Sequence, residues 1–120
     1  MQSRDLVPRA NVTLTRRGLP VLGEREVRLL EAVERVRSIK DAAAEAGISY
    51  RTAWSAIQQM ERALGRPIVV SRAGGRGGGA TTLTDECRQL LSLYQDLRQR
   101  LEESLMHVSG APEQHRERTA

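Results

Sequence analysis

The sequence predicts a mainly helical fold in which a helix-turn-helix is followed by a β-hairpin and then by one long helix. Three observations carry this expectation. Two short helical segments, each opened by a serine and closed by a glycine, lie on either side of Gly47-Ile48. Two β-prone runs, Ile68-Val69-Val70 and Thr81-Thr82-Leu83, flank a stretch that holds five of the chain's ten glycines. Beyond Thr84, the residues Cys87, Leu90, Tyr94, Leu97 and Leu101 repeat at alternating steps of three and four. Composition agrees: aromatics make up 2% and Phe is missing, so the core must come from Leu, Val, Ile, Ala and Met. Such a core favours helix packing over a β-sandwich. A chain of 120 residues fits one domain with a modest core.

Residues 1–10 have no periodicity and read as a flexible arm. Val12 and Leu14 alternate with Thr13 and Thr15, which suggests a short strand, and Gly18, Pro20 and Gly23 then break the chain. From Glu24 to about Arg37, Val27, Leu30 and Val33 recur at helical spacing with charges on the other face. The acids of that helix, Glu24, Glu26, Glu31 and Glu34, read as solvated surface. Ser38 can cap the next helix, with Asp41 three residues on as in a capping box, and Gly47 is the expected stop. Ser49 can cap the third helix, which runs through Ala53, Ile57, Met60 and Leu64 to Gly65; Pro67 forbids its continuation. Thr84 opens the last helix, whose acidic first turn suits the helix dipole. The expected organisation is a DNA-binding unit at 11–84, a dimerisation helix at 85–107 and a disordered polar tail at 108–120.

The formal charge of +4 is localised. Between Ile48 and Thr84 stand Arg51, Arg62, Arg66, Arg72 and Arg76 against Glu61 alone, and the rest of the chain is balanced. A segment of this kind suits a polyanion. The single cysteine, Cys87, allows no intrachain disulfide and fits a reducing, cytoplasmic setting. No apolar run approaches the roughly 18 residues of a membrane span.

Catalysis finds little support. His107 and His115 lie at the end of the last helix and in the tail, away from any inferred pocket. Cys87 occupies a core-type helical position, and no His, Cys or carboxylate pair has metal-site spacing. The expectation is therefore no enzyme, no metal and no cofactor. The glycine stretch is no P-loop, since no lysine follows it and a strand, not a helix, comes next. As a hairpin tip it leaves Arg76 an unobstructed path outward. A hairpin placed after a helix-turn-helix is the wing of a winged helix, and Arg76 there suits either a phosphate or a narrow minor groove.

The third helix divides by faces. Ala53, Ile57, Met60 and Leu64 turn inward, while Ser49, Arg51, Thr52, Ser55, Gln58 and Gln59 fall on its start or outer side. Arg51 suits guanine, Gln58 adenine, and Ser49, Thr52 or Ser55 suit bases or phosphate. Trp54 fits a core edge or a DNA-facing position equally well, and Arg66 and Arg72 are placed to approach the backbone.

Residues 38–65, from Ser38-Ile39-Lys40-Asp41 to Arg62-Ala63-Leu64-Gly65, resemble the helix-turn-helix of LysR-type regulators. Gly47-Ile48-Ser49-Tyr50-Arg51-Thr52-Ala53-Trp54, together with the run from Arg72 to Ala80 and Leu83-Thr84, is similar to the N-terminal domain of the ModE family of molybdate-responsive transcriptional regulators. The similarity covers roughly residues 11–107. It implies a winged helix-turn-helix that binds double-stranded DNA as a homodimer. DNA contacts would fall on Ser49, Tyr50, Arg51, Thr52, Ser55 and the Arg72–Arg76 wing, and the dimer seam on Leu90, Tyr94, Leu97 and Leu101. Full-length members of that family carry molybdate-binding domains after this helix, whereas here the sequence ends at Ala120. Molybdate binding is accordingly not carried over, and the expectation is a DNA reader whose effector is unassigned. Two other classes compete with a sequence-specific regulator: a protein-docking or dimerisation module, and an architectural DNA binder without sequence preference.

Overall fold

The computed structural model of the chain describes residues 5–73 and 79–109. Residues 1–4 of the expected arm, the glycine tip with Arg76, and residues 110–120 of the expected tail lie outside the described residues. In chain order the elements are β1 (Leu14–Arg16), β2 (Leu19–Leu22), α1 (Glu24–Val36), α2 (Ile39–Ala46), α3 (Tyr50–Leu64), β3 (Val69–Arg72), β4 (Ala80–Leu83) and α4 (Asp85–Ser109). The architecture is a winged helix-turn-helix with a long C-terminal helix, as its residue pattern predicts.

The helix boundaries follow local chemistry. Ser38 Oγ accepts the Asp41 amide at the start of α2, and Ser49 Oγ accepts the Thr52 amide at the start of α3. Gly47 and Gly65 end those helices at φ values of 74° and 77°, in the left-handed region that glycine occupies without a Cβ penalty. Thr84 Oγ1 accepts the Cys87 amide and donates to the Pro67 carbonyl, so one hydroxyl caps α4 and ties it to the foot of the wing.

α1, α2 and α3 enclose the core with β2, the base of the β3–β4 hairpin and the first turns of α4. Ala42 and Ala43 of α2 and Ala53 and Ala56 of α3 are buried. Their small side chains let the two helices approach closely, so Ile39, Ile57 and Met60 fill the remaining space beside Leu29, Leu30 and Val33 of α1.

The first hairpin departs from expectation. The chain breaks foreseen at Gly18 and Pro20 belong to a second antiparallel pair, with Leu14 opposite Leu22 and Thr15 opposite Pro20. Arg17 and Gly18 take φ values of 52° and 81°, the two consecutive left-handed residues that a tight hairpin turn requires. Proline is tolerated because the ribbon has only two strands and a free edge to receive a residue without an N–H. β1 also begins two residues later than the alternation at Val12 suggests.

The acids of α1 are another correction. They are not idle surface but the seat of α4, which runs antiparallel across them. Arg88 pairs with Glu34, Gln95 Nε2 donates to Glu31, and Arg98 pairs with Glu24. Glu26 turns back to accept the Gly23 amide.

The predicted seam of α4 is corrected in the same way. Cys87, Leu91 and Tyr94 are buried in the chain's own core, and the Tyr94 hydroxyl donates to the Val12 carbonyl at 3.0 Å. Tyr94 is thus consumed internally, because the docked half of α4 turns Cys87, Leu91 and Tyr94 into the core, with Leu90 at its edge. An adjacent stripe remains on the other side: Leu90 and Leu97 are half-buried, Leu93 is 49% exposed and Leu101 45%. With 25 residues α4 is about 37 Å long, and its last turns extend past the buried core.

Burial pushes the Cys87 thiol up to about 11 from 9.0, with the nearby Glu34 carboxylate adding to the effect. An acid whose folded pKa is raised contributes stability below its unfolded pKa and loses it as pH rises through the folded value. Wild-type stability to urea should therefore fall between about pH 9 and about pH 11, and Cys87→Ala should reduce that slope. Tyr94, whose hydroxyl is also raised by burial, acts in the same direction.

Candidate nucleic-acid interface

α3 presents two opposed faces. Ala53, Ala56, Ile57 and Met60 are buried, and Arg51, Ser55, Gln58 and Arg62 lie exposed on the side facing away, one turn after another. The amphipathic division is forced: helical spacing that buries the first set commits the second to solvent. Thr52 and Gln59 flank the exposed stripe on one side, and Tyr50 and Trp54 flank it on the other. Among the described residues, no side chain or carboxylate pairs with Arg51, Ser55, Gln58 or Arg62, so their donors and acceptors face water. A group already solvated and unpaired loses little on exchanging water for a base edge.

Ser49 and Thr52 have a different standing from the rest. Ser49 Oγ accepts the Thr52 amide at 3.0 Å and donates to Thr52 Oγ1 at 2.9 Å. Its proton is committed to the cap, so Ser49 acts as scaffold for the helix start. The Thr52 hydroxyl accepts that hydrogen bond and keeps its own proton to give to an outside acceptor. The cap takes the Thr52 amide, which leaves the amides of Ser49, Tyr50 and Arg51 at the positive end of the helix dipole.

Two contacts lock α3 to its surroundings and a third ties the wing to α1, and sequence reasoning missed all three. Arg16 from β1 donates to the Leu64 carbonyl at 2.6 Å, satisfying the last turn of the helix. Glu61, the one acid in the basic segment, accepts the Ile68 amide at 3.0 Å, where the wing begins. The Thr81 amide of β4 donates to the Arg37 carbonyl, which anchors the returning wing strand to the end of α1. Arg16 with Leu64 and Thr81 with Arg37 pair residues far apart in sequence, and Glu61 with Ile68 bridges the helix stop at Gly65-Arg66-Pro67, so none leaves a periodic or capping signal.

The wing stem is regular: Val69 pairs with Leu83, Val70 with Thr82, Ser71 with Thr81 and Arg72 with Ala80. Arg72 is exposed at the last described pair before the tip. Arg66, expected to reach toward a backbone, is instead ion-paired with Glu86 at the start of α4. Trp54 is half-buried against the core edge, with Tyr50 set edge-on to it. Among the described residues, no group of His, Cys, Asp or Glu is placed to hold a metal ion, and no helix is long and apolar enough to cross a membrane.

Residues 25–88 match the bacterial regulatory helix-turn-helix proteins of the lysR family. The chain is also 43% identical over 96 residues to the molybdenum transport protein ModE of Azotobacter vinelandii, covering 74% of this chain and 36% of that protein. It is 38% identical over 84 residues to the transcriptional regulator ModE of Haemophilus influenzae, covering 70% of this chain and 32% of the relative. A third relative, the DNA-binding transcriptional dual regulator ModE of Escherichia coli K12, is 43% identical over 76 residues, covering 62% and 29%. The chain spans about a third of the length of these curated relatives.

Loss of the Ser49 cap should be measurable without loss of fold. Ser49→Ala is expected to lower stability by about 0.5–2 kcal/mol in urea denaturation, with helical circular dichroism retained at low denaturant. An unchanged midpoint would show that the hydroxyl does not hold the helix start.

Proposed function

We propose that this chain, which belongs to the lysR family of bacterial regulatory helix-turn-helix proteins, is a sequence-specific regulator of transcription that reads double-stranded DNA as a homodimer. The observation that carries the reading is the unpaired outer stripe of α3, opposite its buried face and within the segment that holds the whole formal charge excess. In this assignment the start of α3 enters the major groove. Arg51 takes a guanine edge, Gln58 an adenine edge, and Thr52 and Ser55 donate to bases or phosphate. Arg72 and Arg76 reach phosphate or a narrow minor groove from the wing. The reading is one of binding in the cytoplasm, with no reaction assigned to the chain. The printed name of the Escherichia coli relative supports DNA as the ligand.

The second subunit is assigned to the stripe of α4 beside the core: Leu93, Leu97 and Leu101, with Leu90 at its core edge. Paired copies would bring two α3 helices to one duplex and give the site two-fold symmetry.

Selection of bound duplexes from a random pool should return a site with inverted half-sites, and affinity for it should fall steeply with salt as phosphate counterions are released. No enrichment, together with no binding at low salt, would refute the reading. Enrichment of nothing in particular, with a salt slope, would mark an architectural binder instead. On the selected site, Arg51→Ala should erase about 1–3 kcal/mol of discrimination at one base pair, while Arg76→Ala weakens all sequences more evenly. Leu97→Glu should convert dimers to monomers in sedimentation equilibrium; a wild-type chain already monomeric at micromolar concentration would contradict the α4 interface.

A further inference from the structure

Among the described residues of α2 and α3, Tyr50 is the one large hydrophobic side chain left exposed, at 54%. It occupies the first helical position, beside Arg51, where a recognition helix meets base edges. Trp54 lies one turn on, half-buried and packed on the core. The two rings meet edge to face, with centroids 6.4 Å apart and planes at 87°. This is a favoured geometry for aromatic pairs, and it restrains the Tyr50 ring before any ligand arrives. No described residue accepts from or donates to the Tyr50 hydroxyl. An apolar ring held in place at the mouth of a polar stripe needs an apolar counterpart, and the major groove offers one such group at a base edge, the thymine C5 methyl.

We infer that Tyr50 is a specificity-determining residue that contacts a thymine methyl in each half-site, with Trp54 as the positioning residue that holds its ring. The inference rests on the DNA-binding reading above and adds to it a base, a chemical group and a pair of residues.

The test uses the full chain and the duplex selected from the random pool, with thymines replaced one at a time by deoxyuridine, which removes only the methyl. At one thymine per half-site the wild type should lose about fourfold in affinity, the equivalent of ~0.8 kcal/mol for one buried methyl-sized group. Tyr50→Ala should bind the thymine and deoxyuridine duplexes equally at that position. Tyr50→Phe should keep the methyl dependence, whereas a hydroxyl contact to phosphate would make Tyr50→Phe behave like Tyr50→Ala with no methyl dependence in the wild type, overturning the inference. Trp54→Ala should reduce the thymine preference toward unity and Trp54→Phe should restore it, each with helical circular dichroism retained. Tyr50 is a surface residue, so its variants remain informative even where those of Trp54 fail to fold. Wild-type affinity unmoved by deoxyuridine at every thymine, or a methyl dependence unchanged in Tyr50→Ala, refutes the inference while leaving sequence-specific binding intact. A wild-type chain that selects no duplex refutes the DNA-binding reading itself.

Discussion

The structure depends on the orientation of α3, which is over-determined at both ends and along one face. Its N-terminal turn is closed by the Ser49 hydroxyl, its last carbonyls by Arg16, and its penultimate turn is tied to the wing through Glu61 and the Ile68 amide. Between these points Ala53, Ala56, Ile57 and Met60 are sealed against α1 and α2. A helix so held cannot rotate without exposing Ile57 or breaking a capped end. The stripe of Arg51, Ser55 and Gln58 is therefore presented in a fixed register, and a preorganised reader loses less freedom on binding.

Charge is distributed to suit that arrangement. Every acid of α1 that faces the last helix is occupied there, and the single acid of the basic segment is turned to a backbone amide at the wing's foot. Arg66 and Arg88 are held by Glu86 and Glu34, whereas Arg51 and Arg62 have no described partner. The same side-chain chemistry is thus divided between holding the fold together and facing solvent, according to whether an acid lies within reach.

Much of this was legible in sequence where the causes are local. Ser38, Gly47, Ser49, Gly65 and Thr84 mark helix ends by chemistry that acts over a few residues, and the structure places the ends at those residues. The inward face of α3 was legible for the same reason, as periodicity needs no knowledge of the partner. The β1–β2 hairpin was not, because its turn uses Arg17-Gly18 rather than an asparagine signal and its second strand contains Pro20. Nor was the loss of Tyr94 to the core: a three-four repeat defines a stripe but not which neighbour covers it. In α4 two adjacent stripes compete, and burial of Cys87, Leu91 and Tyr94 docks the Tyr94 side, with the acids of α1 pairing at its rim. Long-range pairs such as Arg16 with Leu64 have no sequence signature at all.

If the outer stripe of α3 and the wing face DNA together, as proposed, α1 and the outer part of α4 are turned away from it. Backbone amide chemical shifts, followed by NMR as a selected duplex is added, test this arrangement most directly. The largest changes should cluster at residues 49–59 and along the wing, from 69 to 83, with α1 little affected. Changes concentrated on α1 or on the last turns of α4, with residues 49–59 unmoved, would contradict it.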